Sequence, residues 1–396
     1  MTQNASAPGE TLSASSSTDQ ARRYIYIACP WTPVGGGMYK VADYLIQSQA
    51  AETPPDAAEL RPLDSRGAGS PASSLRVLAT ALARIVGGRL SGKLAGVHVN
   101  MAERMSLFRK GMIVLTSRAV GVPVALHLHA QMQYYWRTLP RSLQRLTAWV
   151  FRQATTVIVI GPVARRFVIE DLGVPPQRVE IVINGVPDTT EVRREERPGG
   201  VQRVLFLGNL SERKGLTTLL RALARPGFDP ARLEVVIAGG GDVAGYQAKA
   251  SELGVERLVR FEGWCDQDKA ARLLASADVL VLPSVDEVLP LVILEALAHG
   301  VAVVCTPVGE IPSLLTDGAD VCFVNPNDPE DVADGLRRVL DDPALRRSLE
   351  HNGRALYERQ FSLAQFFRSI GRVHQRHFGI AGQLAEAAPA SREPVN

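Results

Sequence analysis

Two carboxylates, Glu287 and Glu295, stand with seven residues between them in the stretch LPSVDEVLPLVILEALAHG, which runs from Leu282 to Gly300. Proline is tolerated in a helix's first turn and glycine favoured just past its last, so the pattern predicts a helix opening at about Pro290 and stopping at Gly300. Glu287 then lies in a loop after a short apolar strand. Glu295 lies inside a helix whose other residues, Leu291 to Leu294 and Ala296 to Ala298, are apolar. An unpaired buried charge is costly, so Glu295 calls for protein donors or a polar ligand. A second group of reactive types sits in Gly208-Asn209-Leu210-Ser211-Glu212-Arg213-Lys214-Gly215, between a strand and a helix. Cations at a helix start oppose its dipole, so Arg213 and Lys214 are expected to meet an anion there. A third is the loop Gly35-Gly36-Gly37 between a strand and a helix, another place for backbone N–H groups to receive an anion. Finally, the strand VALHLHA carries His127 and His129 on one face at its C-terminal end, where ligands of parallel sheets bind.

With Glu, seven residues and Glu on a strand, loop and helix, the chain resembles the retaining glycosyltransferases of the GT-B fold, in particular family 4 (group 1). The resemblance implies that Glu287 and the amides of Val288 and Leu289 hold the donor sugar, and that Glu295 binds the ribose of the nucleotide. Gly36 and Gly37 match the paired glycines of the family's N-terminal loop, with Tyr39 where many relatives have Glu. His129 matches the donor-facing histidine, which makes His129 and Glu287 the catalytic candidates and leaves His127 to packing. Asn184-Gly185-Val186 with Asp188 matches the corner that ends the first domain. Lys214 matches the lysine that clamps the donor diphosphate, but Asn209 replaces the usual arginine, so Arg213 is expected to reach in. The resemblance implies no metal and no cofactor beyond a UDP- or GDP-sugar co-substrate, and the sequence has no D-x-D motif. Basic side chains and helix N-termini would then balance the leaving charge. In the front-face mechanism proposed for such enzymes, the departing phosphate takes the acceptor proton.

These residues need two sheets to position them. The 396 residues, 46% hydrophobic and 21% charged, suit a globular enzyme of two or three domains. Strands at Tyr24–Cys29, Ala95–Asn100, Val124–His129, Thr156–Ile160 and Val179–Ile183 alternate with helical patterns at Met38–Ser48, Leu75–Leu90, Arg104–Val120, Leu139–Arg152 and Val163–Leu172. The stretch Ala50–Ser74 reads as loop with one weak strand near Leu60. A second alternating series starts at Arg203, and such alternation means parallel, doubly wound sheets. The expected fold is α/β: a disordered tail over 1–20, a Rossmann-like acceptor-side domain over 21–188, a linker over 189–201 and a nucleotide-sugar domain over 202–360. A helix over 361–378 is implied by the resemblance to cross back onto the first domain, and 379–396 reads as a disordered tail.

Charge is uneven: residues 1–166 carry 19 Lys and Arg against 8 Asp and Glu, although the whole chain is only +3. An anionic partner for the first domain follows. The region lacks a nucleic-acid motif. Arg137, Arg141, Arg145 and Arg152 flank Leu139, Leu143, Leu146, Trp149 and Val150, a pattern suited to an anionic membrane surface. With no apolar run long enough to span a bilayer and no signal-peptide pattern, the expectation is a cytoplasmic protein, peripheral on the inner face of the plasma membrane. A lipid-linked saccharide acceptor for exopolysaccharide or lipopolysaccharide assembly would fit. Two alternatives compete: an NAD-dependent oxidoreductase, because Gly239 to Ala244 spells G-x-G-x-x-A, and a catalytically inactive nucleotide-binding protein of the same fold.

Overall fold

The computed structural model describes residues 22–31, 36–49, 57–189 and 200–382. The expectations for the N-terminal tail, for Gly35 and for residues 190–199 of the linker lie outside the described residues. The first half comprises β1 (Tyr24–Cys29), α1 (Gly37–Gln47), β2 (Glu59–Asp64), α2 (Pro71–Leu90), β3 (Leu94–Met101), α3 (Met105–Ala119), β4 (Val124–Leu128), α4 (Met132–Thr138), α5 (Arg141–Gln153), β5 (Thr156–Val159), α6 (Pro162–Glu170) and β6 (Val179–Ile181). Its strands form one parallel sheet in the order β2-β1-β3-β4-β5-β6. β1, β3, β4 and β5 are buried along their whole length, as strands covered by helices on both faces must be.

The second half comprises β7 (Gln202–Leu207), α7 (Leu216–Leu223), β8 (Leu233–Ala238), α8 (Val243–Glu252), β9 (Val259–Gly263), α9 (Gln267–Ala275), β10 (Val279–Leu282), α10 (Leu291–Ala298), β11 (Ala302–Cys305), α11 (Ile311–Leu314), β12 (Cys322–Phe323), α12 (Pro329–Asp341) and α13 (Pro343–Leu356). These strands form a parallel sheet in the order β12-β11-β10-β7-β8-β9. In each sheet the chain reverses its direction of travel next to the first strand. That gives each a crevice at its carboxyl end, between the loops after β1 and β3 in one and after β7 and β10 in the other.

A π-helical turn, Tyr357–Phe361, leads from α13 into α14 (Leu363–Phe378), capped by Ser362. α14 returns to the first half, where Phe366, Phe367, Ile370 and Val373 join a core with Ile25, Ile27 and Ile158. Glycine makes room for it: a Cβ on Gly96 would lie 2.6 Å from the Phe378 ring, and one on Gly185 2.6 Å from the Ser362 carbonyl oxygen. The Asn184–Asp188 corner is fastened to the same crossing, with Val186 N–H donating to Phe361 (2.9 Å) and Arg354 pairing Asp188.

Four expectations need correction. The tail is not disordered from Gly379 onward: Ile380 is buried, and Ala58 N–H donates to the Ala381 carbonyl at 2.9 Å, so the chain lies against the start of β2 before the described residues end at 382. The helix expected over Leu139–Arg152 is α5, which opens only at Arg141 because Pro140 disfavours helical backbone at Leu139, and a separate short helix, α4, precedes it. The strand expected near Leu60 is present as β2, a six-residue edge strand that tolerates Pro62, but the helix expected from Leu75 already opens at Pro71. The helix expected over Pro343–Gln360 gives way to the π turn after Leu356.

Candidate active site

Residues from the loop after β10 and the loop after β7 are locked together at the second crevice. Gly215 has φ +73°, and a Cβ there would lie 1.9 Å from the Pro283 carbonyl oxygen, so only glycine permits this approach. Val285 N–H then donates to the Arg213 carbonyl at 2.9 Å. This packing brings the Lys214 ammonium onto the carboxylate of Glu287, a residue only 7% exposed, which also accepts from the Ser284 hydroxyl at 3.3 Å. Gly309 (φ +63°) closes the loop from the other side, where a Cβ would strike the Glu287 and Val288 carbonyl oxygens, and Glu310 N–H donates to Val288 at 2.8 Å. Glu287, Val288 and buried Leu289 are thereby fixed before any ligand arrives.

Glu295 sits on α10 with its side chain 14% exposed, and the donor it required is Lys40, at 2.9 Å. Lys40 lies on α1, directly behind the paired glycines. Gly36 caps α1 with its carbonyl accepting from Tyr39 and Lys40, and a Cβ on Gly37 would lie 3.5 Å from Leu291 at the start of α10. The glycine loop and the Glu-bearing helix therefore face each other across the cleft. Arg213 is placed differently from Lys214: its side chain is 60% exposed and stands 4.0 Å from Asp286. It does not join the Lys214–Glu287 pair.

From the first half, Gln131 donates its amide to the Glu287 carbonyl. His129 follows β4, half-buried, with Nε2 2.8 Å from Asn100 Oδ1. Because that oxygen only accepts, and Asn100 Nδ2 donates onward to Ala28, the network puts the His129 proton on Nε2 and leaves Nδ1 as an acceptor. Behind it lies a stack of buried imidazoles. The His127 ring centroid is 3.9 Å from that of His129, His127 Nδ1 is 3.2 Å from His98 Nε2, and His98 Nδ1 is 2.9 Å from His374 Nε2 on α14. Burial pushes His98 and His129 down to about 3, and His127 and His374 well below the ordinary range, so the whole stack is neutral. His127 is a packing residue with a role, since it links His129 to the crossover helix.

The dinucleotide-like glycines have another use. β8 is not the first strand of its sheet, and a Cβ on Gly239 (φ +148°) would lie 1.8 Å from the Gly208 carbonyl oxygen, while one on Gly241 would crowd Leu210. Close packing against the Gly208 loop accounts for both glycines.

Sequence reasoning missed Lys40, Gln131, Asn100 and Glu310. Glu310 crosses between the halves, its buried carboxylate accepting from Val163 N–H (3.1 Å) and Ala164 N–H (2.7 Å) at the start of α6. An apolar neighbourhood that demands a counter-charge signalled Lys40 in kind though not in number. The others gave no signal.

Residues 34–185 match the family described as glycosyl transferase 4-like domain, and residues 188–356 match glycosyl transferases group 1. The chain belongs to the group 1 glycosyltransferases. An uncharacterized glycosyltransferase of Methanocaldococcus jannaschii is 31% identical over 52% of this chain and 56% of its own length. A D-inositol 3-phosphate glycosyltransferase of Corynebacterium aurimucosum is 34% identical over 46% of this chain and 48% of its own. The chain thus spans about half the length of these curated relatives. In fold, Anabaena HepE in complex with UDP and glucose superimposes with a TM-score of 0.69 at 18% identity, covering 89% of this chain and 99% of that one. This group 1 glycosyltransferase has the two-domain GT-B architecture, and the oxidoreductase reading is set aside.

Proposed function

We propose that the protein transfers a sugar, with retention, from a UDP- or GDP-sugar to a hydroxyl of a lipid-linked glycan in exopolysaccharide or lipopolysaccharide assembly. The observation that carries this reading is the Lys214–Glu287 pair at the second crevice, with Glu295, Lys40, Gly36 and Gly37 facing it across the cleft. An arriving diphosphate supplies Lys214 with a better counter-charge and frees Glu287 to accept from sugar hydroxyls. Ribose hydroxyls replace Lys40 on Glu295. Leaving-group charge is balanced by Lys214, by Arg213 if it swings in, and by loop N–H groups, so the reading asks for no metal. His129, neutral and with Nδ1 free to accept, suits a hydroxyl of the donor sugar better than a phosphate. The complex of HepE with UDP and glucose supports a nucleotide-sugar donor. Thermal-shift screening with UDP-, GDP- and ADP-sugars should show one base stabilising the protein, with slow release of the nucleoside diphosphate. Binding without turnover on any acceptor would favour the inactive-protein reading.

No helix among the described residues is long and apolar enough to cross a membrane. The acceptor side nevertheless carries a face suited to lie on one. Leu143, Leu146 and Trp149 on α5 are 45%, 52% and 44% exposed, and Met105 and Phe108 on the adjacent α3 are 62% and 56% exposed. Beside them Arg141, Arg145 and Arg152 line a hollow of about 330 Å³ with Trp136. The protein should sediment with vesicles of anionic lipid, be released by salt, and bind more weakly after Arg141→Glu with Arg145→Glu. Equal, salt-independent binding to neutral vesicles would overturn the electrostatic part.

A further inference from the structure

At the carboxyl end of the first sheet a buried lysine amine and a buried arginine Nε make no hydrogen bond. α3 follows β3 directly, and its buried face carries Ser106, Lys110, Ile113, Val114 and Ser117, so a lysine occupies a position otherwise given to small or apolar groups. Lys110 is fully buried, and its Nζ makes no hydrogen bond. Helical side chains lean toward the helix N-terminus, and Lys110 lies in the second turn, so its amine is directed back toward the carboxyl ends of the strands. There it interacts with Cys29 at the end of β1 and Asp64 at the end of β2, and it acts electrostatically on His129 after β4. Burial pulls the amine down to about 8, which still leaves it mostly charged at neutral pH.

Two more unsatisfied groups belong to the same end of the sheet. Arg109 Nε is buried without a partner, and Arg66, just past β2, adds like charge beside it. The Ser65 hydroxyl is buried and unbonded. The turn into α3 passes through Arg104 at φ +58°, a conformation that L residues rarely hold without a functional reason. An unpaired buried ammonium is costly, and a fold that wanted only volume at this position would place Met or Leu there. The second crevice behaves differently, since its buried carboxylate is already paired by Lys214.

We propose that Lys110, Arg109 and Ser65 form a subsite for a phosphate or diphosphate group of the acceptor, in the crevice at the carboxyl end of the first sheet beyond β2 and β3. This rests on the glycosyltransferase reading, which makes that crevice the acceptor side. A doubly or triply charged oxyanion matches two or three cations and a hydroxyl donor, whereas the acceptor's neutral sugar hydroxyls would leave them unpaired. The phosphate is either that of a lipid-linked diphosphate or that of a soluble sugar phosphate.

Inorganic pyrophosphate titrated calorimetrically into the full chain, kept saturated with UDP or with GDP to fill the donor diphosphate site, tests the subsite. Wild type should bind one further pyrophosphate. Lys110→Met should weaken that binding at least tenfold and Arg109→Ala by less, while Lys110→Arg retains most of it. The unfolding temperature of Lys110→Met should equal or exceed that of wild type, because an unpaired buried charge has been removed, so the loss cannot be assigned to misfolding. No further binding to wild type, or equal binding to wild type and Lys110→Met, overturns the proposal. Displacement of the bound pyrophosphate by a short-chain polyprenyl diphosphate or by a hexose 1-phosphate supports it and separates the two sources, and displacement by neither overturns it. Nucleoside-diphosphate release from a nucleotide sugar by wild type is read separately. Its absence sinks the transferase reading, whereas the pyrophosphate titration stands or falls without it.

Discussion

The two crevices are topologically alike and electrostatically opposite. At the second crevice the candidate site charges already stand beside counter-charges: Lys214 holds Glu287, Lys40 holds Glu295, and Arg213 stands beside Asp286. In the first half Lys110 and Arg109 keep unpartnered nitrogen atoms, and the histidines are held neutral. A ligand entering the second crevice must therefore exchange with an existing ion pair, whereas one entering the first supplies charge that is missing. The difference teaches that the second crevice is preorganised at little cost to stability, while the first sacrifices stability that a ligand would return.

The largest effects should come from the carboxylates. Glu287→Ala should lower kcat roughly a hundredfold, in the range seen for loss of a preorganised charge contact. Glu295→Ala should chiefly raise the donor KM. Steady-state kinetics with the identified donor separates the two, and wild-type rates for both variants would refute the site.

Lys214→Ala should weaken donor use about 10- to 100-fold, because a hydrogen bond to a charged group contributes about 1.5 to 3 kcal/mol. It also leaves Glu287 buried without its cation, so Lys214→Ala should lose stability that Lys214→Ala with Glu287→Gln regains. Denaturation of the three proteins checks this. If the single variant were as stable as the double, the second crevice would not be the internally balanced one.

Acid should act mainly on the first half. His98 and His129 are held near 3 against an ordinary value near 6.5, burial also pushes His127 and His374 well below that ordinary value, and His299 in the second half is held near 4. A base with a depressed folded pKa gives full stability above its unfolded value. Below about 6.5 the unfolded chain binds more protons, so stability falls with pH until the folded values near 3 are reached. Denaturant midpoints between pH 8 and 4 should drop, and His374→Gln should flatten the slope. A midpoint independent of pH over that range would contradict the neutral stack.

The smallest expected effect is Arg213→Ala. If the exposed guanidinium swings from Asp286 onto the donor diphosphate in place of the arginine that Asn209 lacks, nucleoside-diphosphate affinity falls by about tenfold. Unchanged calorimetric affinity would show that this crevice works with Lys214 alone.

Much of this was legible in the chain. Both sheets follow from the alternation of apolar runs with 3.6-period segments, and the meeting of Glu287, Glu295, Gly36, Gly37 and Lys214 at one cleft is the placement that the resemblance implied. What stayed hidden was pairing over distance. Glu295 announced a need for a counter-charge, but nothing near it pointed to Lys40, 255 positions earlier in the chain. Lys110 reads as one more basic residue of a basic helix until the sheet buries it. The contact of Ala58 with Ala381 was missed because edge pairing depends on where the returning chain lies, which local propensity does not encode.

Glu310 caps a helix that belongs to the other half of the molecule, and this ties the order of α6 to the width of the cleft. Any motion that carries the two halves apart strips the carboxylate from Val163 and Ala164 and returns those amides to solvent. Their hydrogen-exchange rates therefore measure the fraction of time the enzyme spends open, with no label or ligand required. A donor that closes the cleft should slow both amides together, and the size of that slowing converts directly into the closing equilibrium.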